Sequence, residues 1–312
     1  MQQLKRFFPL AWAAVGLLLL FRLFVRGFLD TENLVDLGQQ ISVNAILAFG
    51  MTLVILIGGI DLSVGALVAL VGTTTAYGLV SAGLGWPTAA AMALGLGVAA
   101  LFGLAHGACA ARTAMPPFII TLGTMMVARG CALRFNEGRP LNIPDRHAAF
   151  LALGNGRLFD FLPVPVLVML VLFAITAALL HTTVFGRYIY AIGGNRTAAL
   201  YSGVPVARCQ IAVYLLASLL AGIAGMIHTS QLYSAEPSSG VNFELNAIAA
   251  AVVGGTSFNG GIGTLPGTLI GAIIIGILDK GLNQAGVHFS LQYMVKGMVI
   301  LAAVFFDVRR RK

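Results

Sequence analysis

The sequence predicts an all-α fold, that of a polytopic integral membrane protein with about ten transmembrane helices. Apolar residues make up 58% of the 312 positions and charged residues only 10%. With a mean hydropathy of +0.92, the chain has too little polar surface to cover a water-soluble globule of this size. Apolar segments long enough to cross the hydrocarbon core recur along the whole sequence. We therefore expect one transmembrane domain that covers residues 1–312.

Ten segments have the length and composition of a membrane-spanning helix. Their expected bounds are 9–29, 41–58, 61–81, 87–111, 116–135, 163–181, 209–232, 243–257, 264–279 and 290–307. The first resembles the apolar part of a signal peptide, but its length and the lack of a clear cleavage site favour a retained helix. Glycines and a proline shorten the eighth and ninth.

The positions of the basic residues predict the orientation. An even number of spans places both termini on one side, and most basic residues outside the spans fall there, which makes that side cytoplasmic. They include Lys5, Arg6, Arg112, Arg187, Arg196, Arg208 and the run 309–312. Residues 136–162, whose three arginines are balanced by three acidic residues, are expected to form the largest outside loop. The net charge of +8 does not indicate a nucleic-acid partner, because the basic residues form no contiguous face.

The stretch GGIDLSVG at 58–65 joins the second and third spans without a polar linker. Asp61 therefore lies at or just inside the membrane, where an unpartnered carboxylate costs at least about 2.5 kcal/mol. One interpretation makes Asp61 and Ser63 part of a transport path. The other is that Asp61 or Ser63 caps the third helix, after a turn formed by Gly58 and Gly59. The two roles are compatible.

The fifth span, PPFIITLGTMMVARG at 116–130, begins with two prolines, which the first helical turn tolerates. Its small residues Thr121, Gly123 and Thr124 favour close helix packing or a mildly polar path. Arg129 is expected either to extend to the membrane surface or to reach a bound polar ligand.

The segment 243–271 is as apolar as a membrane span, yet ten of its residues are Gly, Pro or Asn. We expect the helix to break in its middle, because a break is tolerated where the free backbone groups line a cavity or a protein contact. The candidate residues of a transport path and its gate in this segment are Glu244, Asn246, Thr256, Ser257 and Asn259. The alternative is close packing by small residues. A faint similarity between 45–69 and 247–272 indicates either an internal repeat or a shared small-residue composition.

Residues 182–208 form the longest polar stretch on the expected cytoplasmic side. Its core is predicted to be one short helix with a flexible entry at Gly193 and Gly194. Asn195 or Thr197 caps this helix, and Gly203 and Pro205 end it. Small residues that let a partner approach are typical of a docking element. The candidate docking residues are Gly194, Asn195, Ala198, Ala199, Ser202 and Gly203. The alternative is an ordinary helix at the membrane surface.

Several expected features of enzymes and metal proteins are missing from the sequence. The three cysteines lack the spacing of a disulfide framework or a metal site. The phosphate-binding loop of ATPases and the main hydrolase motifs are absent. We therefore expect no catalytic residues, no metal and no cofactor on this chain. Lys296, in apolar surroundings, is expected to pair with a membrane carboxylate that the sequence does not identify.

Taken together, the motifs resemble the permeases of ABC importers of the ribose/xylose/arabinose/galactoside class, over nearly the whole chain. The matching stretches are GGIDLSVG (58–65), PPFIITLGTMMVARG (116–130), FGRYIYAIGGNRTAALYSGV (185–204), YSAEPSSGVNFELNAIAAAVVGGTSFNGGIGTLPGTLIGA (233–272) and KGMVILAAVFFD (296–307). The resemblance implies a permease subunit that forms, as a dimer in the lipid of a bacterial inner membrane, the path for a ribose-like pentose or a hexose.

The resemblance also implies the partners. They are a second permease copy, a cytoplasmic ABC ATPase that binds ATP and Mg²⁺, and a periplasmic or lipid-anchored sugar-binding protein, with residues 195–204 contacting the ATPase. One departure is Asn246, where such permeases usually carry Asp, and it leaves Glu244 as the sole acid of the local motif.

Other functions stay open at this point. An ion-coupled secondary transporter would use Asp61 and Glu244 as titrating carboxylates. An ABC permease for another small polar solute would share the motifs, and a non-transporting membrane subunit would leave the polar residues without a path.

Overall fold

The computed structural model describes residues 2–80, 83–113, 115–159 and 161–309, and the fold in this part of the chain is all-α, as predicted. The helices are α1 (Gln2–Phe24), α2 (Thr31–Leu56), α3 (Val64–Leu79), α4 (Thr88–Arg112), α5 (Pro117–Arg134), α6 (Ala148–Asn155), α7 (Val164–Thr182), α8 (Val184–Gly194), α9 (Arg196–Tyr201), α10 (Val206–Gln231), α11 (Phe243–Val253), α12 (Leu265–Gln284) and α13 (Phe289–Arg309). The strands are two antiparallel pairs, β1 (Leu141–Asn142) with β4 (Ser234–Ala235), and β2 (Arg157–Leu158) with β3 (Leu162–Pro163).

Five helices are long and apolar enough to cross a membrane, namely α2, α4, α7, α10 and α12. Shorter apolar segments lie in α1, α3, α11 and α13. Each of the ten predicted spans overlaps one of these nine helices or α5. The chain is therefore a multi-pass membrane protein, while the number of complete crossings and the side on which the termini lie stay predictions.

Two helix starts differ from the prediction for physical reasons. α2 begins at Thr31 instead of residue 41, because a helix continues beyond the apolar residues that mark the hydrocarbon core. α3 begins at Val64 instead of residue 61, because the glycine-containing link before it is not helical.

α2 is the central helix of the bundle. Every residue from Ala45 to Leu56 is buried, and the helix packs against α7, α10, α11 and α12. Small residues bring α10 close to its neighbours. A Cβ atom at Gly50 of α2 would lie 2.9 Å from Ala217 Cα, and one at Gly103 of α4 would lie 2.7 Å from Leu215 Cα. Such close backbone approach is typical of helices that pack within a membrane.

The outer segment (residues 136–162) and the coupling segment (residues 182–208) lie at opposite ends of the bundle. The outer segment precedes α7 and the coupling segment follows it. α10 joins the same two ends: it starts after α9, and Ser230 near its C-terminus donates to Phe150 O at 2.8 Å. The expectation that these two segments lie on opposite faces agrees with this arrangement.

The helices α1 and α13 both extend from the outer end of the bundle toward its coupling end. α12 finishes at the outer end, where Gln284 contacts Asn33 near the start of α2. Phe21, close to the end of α1, packs against Gly281 of α12. Lys296, in the first half of α13, lies 2.9 Å from Asp279 of α12. The C-terminus of α1 therefore lies at the outer end of the bundle, and so does the N-terminus of α13.

Candidate functional site

The link 57–63 between α2 and α3 begins with a glycine turn. Gly58 has a φ of +80°, a conformation that glycine adopts without strain. Its N–H donates to Ile55 O at 2.8 Å, and Gly59 N–H donates to Val54 O at 2.9 Å. This is the helix-ending turn that the sequence predicted for these two glycines.

Beyond the turn, Thr121 of α5 replaces the missing helical hydrogen bonds. Its hydroxyl donates to Ile60 O at 3.0 Å and accepts from Leu62 N–H at 3.2 Å. A backbone interruption inside a membrane protein is tolerated only where such partners exist. Thr121 thus serves the extended stretch itself, in addition to the close packing expected of it.

Asp61 lies in this stretch and is fully buried. Its Oδ1 atom accepts from Ser63 N–H at 2.9 Å and from Ser63 Oγ–H at 2.6 Å. Ser63 is the N-cap residue of α3, but its side chain makes no capping bond. Ser63 therefore does not cap α3. Asp61 does bond the entrance of the helix as predicted, because the backbone of Ser63, whose N–H it accepts, is already helical (φ −83°, ψ −14°).

Other buried polar groups lie within electrostatic range of Asp61. Asp61 Oδ2, His106 Nδ1 and Tyr214 Oη are buried atoms without a hydrogen-bond partner among the described residues. The ring centroids of His106 and Tyr214 lie 6.2 Å apart, and His106 Nε2 lies 2.6 Å from Thr124 Oγ1. The charge of Asp61 acts on both rings. Buried polar groups that converge in this way are characteristic of functional sites and of internal hydration.

The sequence reasoning missed His106 and Tyr214. His106 had the signal that identified Asp61, since it is an ionisable residue in the middle of a predicted span. Tyr214 had no such signal, because a tyrosine in an apolar helix is usually part of the core. Among the described residues, no group of three or more His, Cys, Asp or Glu side chains is arranged to hold a metal ion.

Glu244 lies beside the start of α3. A Cβ atom at Gly65 would collide with Gly240 O and with the carboxylate of Glu244. Only glycine at position 65 therefore allows α3 to approach the first turn of α11 this closely. The packing brings Glu244 next to the stretch that contains Asp61 and Ser63.

Arg129 of α5 has a role that neither of its predictions described. Its Nη1 atom donates to Pro237 O at 2.8 Å and to Ser239 O at 2.6 Å. Glu244 also interacts electrostatically with it. The side chain does not extend to the surface, because the chain between α10 and α11 offers two carbonyl groups within its reach. Arg129 fixes the segment that leads into α11.

Asn246 lines a cavity of about 340 Å³ in the outer half of the bundle. Asp279 lines the same cavity, and Lys296 Nζ lies 2.9 Å from its Oδ1 atom. Asp279 is therefore the partner of Lys296 that the sequence did not identify. Asn246 Nδ2 lies 3.5 Å from Asp279 Oδ2. An aspartate at position 246 would place a second negative charge beside Asp279, whereas the amide leaves one carboxylate for one ammonium.

The predicted break after α11 is confirmed. α11 ends at Val253, Gly255 has a φ of +91°, and residues 254–264 form a turn before α12. Ser257 N–H donates to Ile262 O at 2.8 Å, which closes the turn. Thr256 and Ser257 are buried and Asn259 is exposed. We call residues 254–264 the glycine-rich break.

The glycine-rich break contacts both α2 and the coupling segment. Gly261 N–H donates to Leu56 O at the end of α2 at 2.9 Å. A Cβ atom at Gly260 would lie 3.1 Å from Gly193 Cα, so the break and the end of α8 touch backbone to backbone. Tyr190 Oη donates to Gly263 O at 2.8 Å. Burial raises the pKa of this hydroxyl to about 12, which keeps it protonated as a donor.

The coupling segment contains two helices instead of the one that was predicted. Thr183 caps α8 by accepting from Gly186 N–H at 3.2 Å, and Asn195 caps α9 by accepting from Ala198 N–H at 2.9 Å. The predicted cap at Asn195 is thus confirmed. Gly194 was expected in a flexible entry, but it lies in the last turn of α8.

Most of the predicted docking residues are on the surface. Gly194, Asn195, Ala198, Ser202 and Gly203 are exposed, whereas Ala199 is buried. The most exposed apolar side chains of α9 are those of Leu200 and Tyr201, at 60% and 87%. The sequence reasoning missed these two, although apolar residues on a short polar segment were a visible signal.

The predicted path residues therefore lie in three places. Asp61, Ser63 and Glu244 lie around the start of α3, Asn246 lines the outer cavity, and Thr256, Ser257 and Asn259 lie in the glycine-rich break. The structure connects the third place to the coupling segment, which sequence spacing did not indicate.

Comparisons with known proteins agree with these features. The family described as "Branched-chain amino acid transport system / permease component" matches residues 33–304. The ribose import permease protein RbsC of Bacillus subtilis is 46% identical over 91% of this chain and 87% of its own length. RbsC of Escherichia coli is 43% identical over 98% of both chains. The D-allose transport system permease protein AlsC of Escherichia coli is 39% identical over 90% of this chain and 84% of its own length. No solved structure matches the chain.

The matched region contains the stretch around Asp61, the coupling segment and the glycine-rich break. The relatives that it aligns with are named for sugars, and this confirms the resemblance to ribose-type sugar permeases. The chain therefore belongs to the family of permease components described for branched-chain amino acid transport systems, alongside the import permeases for ribose and allose.

Proposed function

We propose that this chain is the membrane permease subunit of an ATP-driven importer for a monosaccharide, a ribose-like pentose or a hexose. The sugar permeases that it resembles support the substrate class. The observation that carries the proposal is the contact of Tyr190 and Gly193 with the glycine-rich break. A transporter driven by a separate ATPase needs such a contact, because movement at the docking surface must reach the path.

The coupling route starts at the exposed side chains of α9. An ATPase subunit that binds Leu200 and Tyr201 and displaces α9 also displaces α8, because the single residue Asn195 joins α8 to α9. α8 touches the glycine-rich break, and Gly261 of the break is bonded to the end of α2. Displacement of α9 thus reaches α2, α11 and α12, the helices that flank the Asp61 stretch and the outer cavity.

The proposal includes the partners of such a subunit. A second permease copy completes the path in a bacterial inner membrane. An ABC ATPase docks on the coupling segment and binds ATP and Mg²⁺, and this chain itself binds no cofactor. A periplasmic or lipid-anchored binding protein delivers the sugar to the face formed by the outer segment.

The proposal is tested by uptake into proteoliposomes that contain the permease, its ATPase and its binding protein. We expect radiolabelled D-ribose or D-allose, but not L-leucine, to accumulate in vesicles that hold the ATPase side and ATP inside and the binding protein outside. Omission of ATP or of the binding protein should abolish uptake. Uptake that follows an imposed ion gradient and ignores ATP would overturn the proposal in favour of an ion-coupled carrier.

The docking surface is tested by Tyr201→Glu. A buried carboxylate in place of the tyrosine ring should prevent the ATPase from docking, because an unpaired charge in an apolar interface is strongly unfavourable. We expect transport-coupled ATP hydrolysis to be lost while membrane insertion stays normal. Phe161→Glu, at a 64% exposed phenylalanine of the outer segment, is the matched control and should leave cosedimentation of the ATPase with the permease unchanged. Equal cosedimentation of the ATPase with both variants contradicts the assignment of α9.

A further inference from the structure

The outer cavity has the position and size of a small-molecule site. It lies between the first half of α2, the end of α10, the start of α11 and the second half of α12, beside the end of α6 in the outer segment. Its volume of about 340 Å³ falls at the lower end of the range of ligand pockets, which is about 300–1,000 Å³. A site of this size at the outer end is where cargo from a binding protein first meets the permease.

Carboxamide side chains give the cavity its chemistry. Asn155 Nδ2 donates to Ser230 O at 2.6 Å, Gln231 Nε2 donates to Gln39 O at 3.2 Å, and Gln39 Nε2 lies 3.4 Å from Gly154 O. These bonds use backbone carbonyls and hold the amide planes in place. Amides positioned in advance recognise hydroxyl groups at little entropic cost, because each offers both a donor and an acceptor.

Asn44 adds an acceptor with no partner. It lines the cavity from α2, and its Oδ1 atom is buried without a hydrogen bond among the described residues. A buried amide oxygen in this state costs free energy until a donor reaches it. A hydroxyl group of a ligand supplies such a donor when the side chain of Asn44 turns this oxygen toward the cavity that it lines.

The charges of the cavity cancel. Of its two carboxylates, Asp36 lies 3.5 Å from Lys280 Nζ and Asp279 lies 2.9 Å from Lys296 Nζ. At 2.9 Å the ammonium of Lys296 compensates the charge of Asp279. No unpaired charge among the described lining residues is therefore left for the carboxylate or ammonium of an amino acid.

Phe243 provides the apolar surface. Its ring packs edge to face on His228, with centroids 5.2 Å apart, and both line the cavity. An aromatic ring is the surface on which the C–H face of a sugar packs, while the hydroxyl groups at its edge meet polar side chains.

We propose that this cavity is a reception site for one neutral monosaccharide, with Asn44 and Asn246 as hydrogen-bonding residues and Phe243 as the packing surface. The substrate class rests on the proposed function, whereas the location of the site rests on the cavity itself. Amino acids are disfavoured, because their two charges find no free counter-charge there. The site also explains Asn246, since an amide at this position leaves the cavity neutral.

The test uses the complete importer in proteoliposomes and measures uptake of radiolabelled D-ribose. Asn44→Leu keeps the side-chain size and removes the hydrogen-bonding groups, so we expect the uptake rate to fall by about tenfold. Asn246→Leu, on a different helix, serves as the second variant if Asn44→Leu does not insert. Asn33→Leu, also an amide at the outer end but outside the cavity, should keep normal uptake.

The outcomes separate this inference from the proposed function. Normal ribose uptake in both cavity variants, with correct insertion, overturns the reception site and leaves the importer intact. Absence of ATP-dependent sugar uptake in the unaltered importer overturns the proposed function instead. An equal decline in Asn33→Leu and Asn44→Leu also counts against the site, since it points to general loss of stability at the outer end.

Discussion

Asp61 shows how a carboxylate is accommodated in the core of a membrane protein. One oxygen is satisfied locally by the N–H and hydroxyl of Ser63, and the other is buried without a hydrogen-bond partner among the described residues. The first interaction shapes the backbone before α3. The second oxygen makes no such bond, and its part in transport stays a prediction.

Two substitutions distinguish these roles. Asp61→Asn keeps an oxygen for Ser63, so we expect normal insertion and a melting temperature near that of the unaltered protein. Asp61→Leu leaves two buried donors of Ser63 without a partner, at a cost of about 1–3 kcal/mol each, and should melt at a lower temperature. Thermal unfolding in detergent, followed by tryptophan fluorescence, measures both.

A transport measurement on the Asp61 variants tests whether the charge of the carboxylate matters. If the free oxygen matters, Asp61→Asn should be stable yet transport poorly, because its amide cannot carry the charge that acts on His106 and Tyr214. Ser63→Ala is the control, since it removes one local bond and retains the carboxylate. Normal transport by Asp61→Asn would show that the charge has no part in the mechanism.

At the level of single residues, the sequence identified ionisable positions but not their partners. Asp61 and Lys296 stood out because charge in an apolar segment is costly. Their partners lie far away along the chain, as His106 and Tyr214 do for Asp61, and periodicity within a segment contains no information on such contacts. The contacts of Arg129 could not be predicted for the same reason, because its two carbonyl partners belong to an irregular loop.

At the level of elements, the two interrupted helix pairs have a common design. α2 ends in Gly58 and leads by a non-helical link to α3, and α11 ends before Gly255 and leads by the glycine-rich break to α12. The two links meet where Gly261 N–H bonds to Leu56 O. This arrangement agrees with the faint similarity between 45–69 and 247–272. Paired interruptions that meet inside the bundle are typical of transport paths.

The contact between α8 and the break is tested by a pair of adjacent glycines. A methyl group at Gly193 would collide with Leu56 O and with Gly261 N, whereas one at Gly194 meets no atom within 4 Å. We expect Gly193→Ala to reduce coupled ATP hydrolysis and sugar uptake strongly, and Gly194→Ala to behave normally. Cosedimentation with the ATPase should be unaffected in both variants. Equal activity of the two variants contradicts a role of this contact in coupling.

The sequence predicted which helices exist better than it predicted the junctions between them. The ten apolar segments and the cap at Asn195 were visible because they depend on local composition and spacing. The division of the coupling segment into α8 and α9 was not visible in the sequence. Gly193 and Gly194 predicted a flexible entry, although both belong to the end of a helix. Tertiary contact with the glycine-rich break explains why glycine is needed there.

On the scale of the whole molecule, the structure predicts which positions face each side of the membrane. In a variant without Cys109, Cys131 and Cys209, Asn259→Cys should react with an impermeant thiol reagent only from the cytoplasmic side. Phe161→Cys should react only from outside. Both native residues are exposed, at opposite ends of the bundle. Labelling of both from one side would overturn the predicted orientation.

The same cysteine-free background tests whether the break moves. Thr256 and Ser257 are buried, so cysteines at these positions should be protected in the resting state. If the break is part of the gate, trapping ATP on the partner should expose at least one of them. Protection in every nucleotide state would show that the break is static packing, and the gate would then lie around Asp61.

A contact made of backbone atoms alone carries no information about the cargo. Gly193, Gly260 and Gly261 meet at one end of the molecule without side chains, whereas carboxamides line the cavity at the other end. On the proposed function, we expect a change of sugar to require substitutions at the outer end only, while the part proposed to respond to the ATPase is inherited unaltered. Permeases of this family that import different solutes are expected to share the inner glycines and to diverge in the outer amides.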